Sequence, residues 1–315
     1  MKLDRPYSRF AKFAWFTLAY NVVVILWGVF LRASKSGDGC GQHWLTCHGE
    51  VIPSAPELKT VIEFSHRLTT GPAFLFVLIL CVWALRRYGW RHKIGKAATV
   101  SFLFIITEVL VGAGLVLTGN TAETLTAARP FWAIGHLINT FTLLASLTLT
   151  AWLASGRQKY LFRGDSKALW LIGIGVVAIL LVGASGSVAA LSTMLFPSET
   201  IAEGISKDLS TASNVLVRLR VSHPILSILV GAYLIFLAGW LKARSNDGPV
   251  TRWSNIVSFI VLAQIAFGAA TLLTLGPILM QLGHLLLADL LWISFVILAA
   301  GFFWRDLDQP ALGES

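Results

Sequence analysis

Residues 283–303 read GHLLLADLLWISFVILAAGFF. One charged side chain, Asp289, interrupts an otherwise almost wholly apolar run. Crossing the hydrocarbon core of a bilayer as a helix takes about 20 such residues. Backbone groups in hydrocarbon find no water and must bond within the segment, so the stretch is predicted to be a membrane helix. Working outward, the same pattern recurs at 12–31, 65–85, 97–118, 131–153, 168–192, 219–240 and 255–275. Together these predict an all-α integral membrane protein with eight transmembrane helices. The chain is 56% hydrophobic and 13% charged, where an ordinary soluble domain is about 25% charged. The first block lacks a small-residue cleavage site, so it is expected to remain as a span.

The net charge of +9 invites a nucleic-acid partner, but the charges are distributed by side. If residues 1–12 face the cytoplasm, 17 of the 25 Lys and Arg fall on inner segments: Lys2, Arg5, Arg9, Lys12, Arg86, Arg87, Arg91, Lys93, Lys96, Arg157, Lys159, Arg163, Lys167, Lys242, Arg244, Arg252 and Arg305. The positive-inside rule then places both termini in the cytoplasm of a multi-pass plasma-membrane protein. The basic character is a topology signal, and lipid rather than nucleic acid is the expected surround.

Cys81 lies within the second apolar block and reads as a small buried hydrophobe. Cys40 and Cys47 lie in the outer loop SGDGCGQHWLTCHGE, with six residues between them. An outward loop meets an oxidising compartment, which favours a disulfide. Metal binding is the alternative, because His43 and His48 stand close by in sequence.

The chain repeats itself. EVLVGAGLVLTG (108–119) resembles QIAFGAATLLTLG (264–276), Gly135-His136-Leu137 recurs as Gly283-His284-Leu285, and Ser65-His66 recurs as Ser222-His223. Two halves, 1–155 and 156–315, are therefore expected as pseudo-symmetric four-helix bundles, joined by the basic stretch 154–167. Each half has an even number of spans, so the halves share one orientation, related by an axis along the membrane normal. Gly112, Ala113 and Gly114, with Gly268, Ala269 and Ala270, are expected to let helices approach closely.

Of seven histidines, His43 and His48 lie in the outer loop and His92 in an inner one. His66, His136, His223 and His284 each open an even-numbered block, at one depth near the outer face. A lone membrane histidine can simply bond a neighbouring helix. Two per half at matched depth instead suit paired axial ligation of haem iron, His66 with His136 and His223 with His284. Arg67, Arg129, Arg218 and Arg220 lie at the level where anionic propionates would sit, although snorkelling arginines also belong there. Trp44 and Trp132 fit either an interfacial belt or the site.

The halves differ in ways that bear on chemistry. Three residues before His66 is Glu63, whereas three before His223 is Arg220. Residues i and i+3 share a helix face, so Glu63 is expected beside His66, as a reacting carboxylate or as an acid paired with Arg67. Glu108 in the first half matches Gln264 in the second, and reads as a proton relay or a neutral hydrogen-bonded acid. Asp289 is expected to bond a neighbouring helix or backbone.

These segments together resemble the haem A synthase family, which converts haem O to haem A for cytochrome oxidases. The resemblance is carried by CGQHWLTC (40–47) with the flanking GEVIP, IEFSHR (62–67), GHLIN (135–139), VSHP (221–224) and QLGHLLLADLLWI (281–293), and spans essentially all eight blocks. The cysteine-pair loop resembles the bacterial, Bacillus-type branch. The resemblance implies that residues 1–155 bind the haem O substrate between His66 and His136, with Glu63 catalytic. It implies that residues 156–315 hold haem b through His223 and His284. The implied reaction oxidises a ring methyl to a formyl group by successive hydroxylations, with oxygen from water. Haem O synthase, oxidase assembly factors and further copies of the chain are the partners so implied. Two departures stand out: Pro224 follows His223 directly, and Glu108 occupies a position where the family suggests glutamine. The alternative readings are a di-haem electron-transfer protein of the cytochrome b type, which has no need of Glu63, and a haem carrier that performs no chemistry.

Overall fold

The computed structural model describes residues 8–155, 160–162, 164–245 and 247–306. Lys2, Arg5, Arg157, Lys159 and Arg163 lie outside these. The elements run α1 (Arg9–Ala33), α2 (Leu58–Tyr88), α3 (Lys93–Leu117), α4 (Arg129–Ala154), β1 (Tyr160–Phe162), α5 (Ser166–Leu195), α6 (Ile201–Leu209), α7 (Val215–Leu219), α8 (Ser222–Ala243), α9 (Gly248–Leu273), α10 (Ile278–Phe303) and β2 (Trp304–Asp306). Among the described residues eight helical segments are long and apolar enough to cross a membrane, α7 and α8 together making the sixth. Among the described residues the strands are an antiparallel pair, β1–β2, three residues on each side.

Local chemistry sets the helix ends. Ser8 accepts from the Ala11 amide at 3.1 Å and Asp165 from the Ala168 amide at 3.1 Å, each satisfying an orphan donor of a helix N-terminus. Pro72 lies inside α2, and the Tyr20 hydroxyl donates to the nearby Thr69 carbonyl at 3.1 Å. α2 begins at Leu58, seven residues before the apolar block predicts, because its polar first turns are satisfied by the preceding loop. α6 has no counterpart in the hydropathy pattern. Thr200 caps it, accepting from the Glu203 amide at 3.1 Å, while Glu203 reaches back to the Glu199 amide at 2.7 Å.

α1, α2, α3 and α4 pack as a closed ring, each against the next and α4 against α1. α5 packs on α8, α8 on α9 and α9 on α10; the two sets meet where α4 touches α5 and α10, and α1 touches α10. α4 and α10 are the central pair: 56% and 50% of their span windows are buried, against at most 33% in the other six. Across that seam Trp292 donates through Nε1 to the Phe141 carbonyl at 2.7 Å, and their rings stack at 5.7 Å. Large apolar residues such as Phe16, Leu103, Leu181 and Phe259 point outward, as suits a lipid surround. The loop between α1 and α2 marks one end of the molecule, called here the disulfide end; the β1–β2 pair marks the linker end.

Candidate functional site

In the second set of helices, His223 is the second residue of α8 and His284 the seventh of α10. Their ring centres are 6.2 Å apart and their planes nearly perpendicular, at 87°. Each ring lies on a glycine of another helix. A Cβ on Gly186 of α5 would stand 2.9 Å from His223 Cε1, and one on Gly268 of α9 would stand 2.9 Å from His284 Cε1. Ser185 Oγ lies 3.2 Å from His223 Nδ1, and Gln264 Nε2 lies 3.4 Å from His284 Nε2. His284 Nδ1 is buried without a hydrogen-bond partner.

The first set repeats this with changes. His66 of α2 rests on Gly28 of α1, where a Cβ would stand 3.1 Å from Cε1, so Gly28 and Gly186 are matched cradles. His136 of α4 turns toward α3, where Glu108 Oε2 stands 3.5 Å from its Nδ1. Gly112, the counterpart of Gly268, has nothing within 4 Å of its Cβ position. The glycines expected to bring backbones together instead receive rings: Gly268 that of His284 and Gly114 that of Trp132, which is thereby packed against α3.

Glu63 is buried, and both carboxylate oxygens are engaged. Oε2 accepts from the Cys40 amide at 2.8 Å, and Oε1 accepts from Arg67. The other nitrogen of Arg67, Nη1, donates to the carbonyls of His43 (2.6 Å), Trp44 (3.0 Å) and Thr46 (2.9 Å). One ion pair, at i and i+4 of α2, thus clamps the loop that Cys40 and Cys47 close as a disulfide. Gly39 lies flush on α2: a Cβ there would run into the Lys59 carbonyl. His48 donates through Nε2 to the Gly39 carbonyl at 2.8 Å. Loop metal binding finds no support, because among the described residues no three potential ligands gather.

The four arginines expected for propionates are mostly committed to protein. Arg67 holds the loop, Arg129 donates to the carbonyls of Ala122 and Thr124, and Arg220 pairs with Asp208 of α6. Arg218 is exposed. Asp289 is fully buried with neither oxygen hydrogen-bonded, so the expected partner on a neighbouring helix or backbone is not there.

The His223–His284 pair suits one kind of ligand. Imidazole nitrogens bind a metal at about 2 Å, which puts two opposed ring centres roughly 6 Å apart with the ion between, close to the separation of His223 and His284. Two histidines alone leave most of a coordination sphere open. They fit an ion that brings its other ligands with it, as haem iron does, its axial positions taken by side chains. Glycines under the rings of His66, His223 and His284 leave room for those three imidazoles. Sequence reasoning named the four histidines and Glu63 as candidates. It missed the glycine cradles and Ser185, for which position in the repeat is the only signal.

Comparison with known proteins adds the following. A family model described as cytochrome oxidase assembly protein, COX15-CtaA, matches residues 11–296. A Thermus thermophilus protein named protoheme IX farnesyltransferase is 43% identical over 98% of this chain and 51% of its own length, and its counterpart in a second strain of that species matches equally. The chain therefore spans about half the length of these relatives. A heme A synthase of Bacillus cereus (strain G9842) is 28% identical over 86% of this chain and 86% of its own length.

Proposed function

The chain belongs to the COX15-CtaA family of cytochrome oxidase assembly proteins, and on that basis we propose that it is a haem A synthase of a bacterial plasma membrane, with both termini cytoplasmic. The observation that carries this is a histidine pair in each half with a buried carboxylate, Glu63, one turn before the first pair only. A protein that merely conducts electrons between two haems has no use for that difference.

In this reading His66 and His136 hold haem O in residues 1–155, and His223 and His284 hold haem b in residues 156–315. Haem b, when bound, supplies a one-electron redox centre. Glu63 is the catalytic carboxylate: a buried anion close to a ring methyl stabilises positive charge that develops as the methyl is oxidised, and can accept the proton released. Its ion pair with Arg67 and the Cys40 amide hold it in place. Each of two hydroxylations at that carbon takes its oxygen from water and gives up two electrons to an external electron acceptor and two protons, and loss of water from the twice-hydroxylated carbon leaves the formyl group. The farnesyl transfer in the name of the Thermus relatives we assign to the part of those proteins that this chain does not cover. A membrane haem O synthase is accordingly the natural partner.

Pigment extraction from the purified protein tests the reading. Haem O, its hydroxylated form or haem A beside haem b is expected; haem b alone in both halves would overturn it. Glu63→Ala is expected to retain haem b and form no haem A. Glu63→Gln keeps an acceptor for the Cys40 amide and removes the charge that pairs with Arg67, so lost product there reports the loss of that charge. Unchanged haem A formation in either variant refutes the catalytic role.

A further inference from the structure

The repeat breaks most sharply behind His136. Glu108 Oε2 stands 3.5 Å from His136 Nδ1. It also accepts from Asn139 Nδ2 at 2.5 Å, and Oε1 is 2.5 Å from the Thr140 hydroxyl. The orientation of the Asn139 amide is fixed, because its nitrogen also reaches the Phe104 carbonyl at 3.0 Å and its oxygen accepts from the Thr107 hydroxyl at 2.5 Å. A backbone carbonyl can only accept, so the amide presents a proton to Glu108. Thr107, Glu108, Asn139 and Thr140 thus form one polar shell behind the ring.

The matched positions of the second half carry Ala263, Gln264, Leu287 and Ala288. Only Gln264 is polar there. Its amide approaches the other histidine, His284, and its Oε1 is buried without a partner. The two histidines have equivalent places in the fold, yet one has a carboxylate 3.5 Å from its Nδ1 and the other has only an amide, 3.4 Å from its Nε2, with its Nδ1 unpartnered.

We propose that Glu108 is a positioning residue for His136: its carboxylate, 3.5 Å from Nδ1, keeps the Nδ1–H edge of the ring turned toward it and Nε2 toward the ligand, and makes this imidazole the more electron-donating of the two halves' ligands. A carboxylate behind a ligating histidine fixes its tautomer and raises its basicity. A more basic axial ligand favours the ferric state. The first-half iron is therefore held at a lower reduction potential than a Gln at position 108 would give, which eases removal of electrons from a substrate bound there. The inference rests on the haem reading above and adds which half is tuned, and by what.

The test is a potentiometric titration of the full-length protein in detergent, loaded with haem O and followed optically. The component that His136→Ala removes is the first-half haem. Glu108→Gln is expected to raise the potential of that component alone, by about a tenfold change in the ferric/ferrous ratio, roughly 59 mV for one electron. Gln264→Glu is expected to lower the other component alone. A first-half component unmoved in Glu108→Gln, or both components moving together, overturns the inference and leaves the functional reading standing. If Glu108→Gln fails to retain haem, Gln264→Glu decides: a lowered second component supports the tuning and an unmoved one overturns it. Wild-type protein with no component sensitive to His136→Ala overturns both readings.

Discussion

Gly268 lacks a side chain where the ring of His284 stands, and Gly186 does the same for His223. A methyl group at either position would meet the end of a side chain rather than backbone, so the helix itself can remain. Gly268→Ala is therefore expected to leave the protein folded, since alanine is the better helix residue by about 1 kcal/mol, while turning His284 out of line and losing most of the second-half haem. Gly239→Ala, with nothing within 4 Å of its Cβ position, is the control and should keep its pigment. Absorbance per protein measures both, and equal haem content in the two variants would refute the cradle. The histidines were legible in the sequence because ionisable residues are rare in apolar blocks and these recur in register. The cradling glycines were not, because a glycine in a membrane helix has many reasons to be there and the ring it receives comes from another helix. The arginines show the same limit. Sequence put Arg129 and Arg220 at the level of a propionate, but only tertiary structure brings in the carbonyls of Ala122 and Thr124, and Asp208, which claim them.

α3 starts on a titratable cap. His92 Nδ1 accepts from the Ile94 amide at 3.2 Å, and its ring stacks on Tyr88 at 5.2 Å. Accepting requires neutral imidazole, and partial burial, then the charge of Lys93, holds His92 below its ordinary value of 6.5. The unfolded chain therefore binds this proton at higher pH than the folded one. The cap's contribution is full above the unfolded value and is lost as pH falls through the lowered folded one. His92→Asn, a cap that does not titrate, is expected to flatten part of the fall in thermal stability between pH 7 and pH 5. An unchanged pH slope would show that the cap does not matter. Hydropathy sufficed for the eight spans because each is long and continuous. It overlooked the polar start of α2, whose turns are satisfied by Gly39 and the disulfide loop. It also overlooked α6, nine residues with Ile201, Ile205 and Leu209 on one exposed stripe, too short and too mixed to register as apolar.

At the scale of the molecule the halves are joined by their most buried helices. α4 carries His136 and α10 carries His284, so the seam between these helices links the two sites mechanically. The contacts of α1 with α10 and of α5 with α4 are those a two-fold relation exchanges. The symmetry is incomplete: α1 and α4 pack along their length, whereas α5 and α10 do not, and Phe295 of α10 reaches across to Gly175 of α5. The Trp292–Phe141 contact ties the second set to the first, beside the packing of α4 on α5 and of α1 on α10. Trp292→Phe keeps an aromatic ring there and removes the indole donor, a loss of about 1 kcal/mol for a buried hydrogen bond. Soluble-domain scaling turns that into a fall of about 2–4 °C in Tm. If the seam couples the halves, thermal release of the two haems, followed optically, occurs in one transition in the wild type, and the variant lowers it for both. Two separate midpoints, with only the second-half haem displaced by the substitution, would mean that the halves are autonomous and that α4 and α10 merely lie side by side.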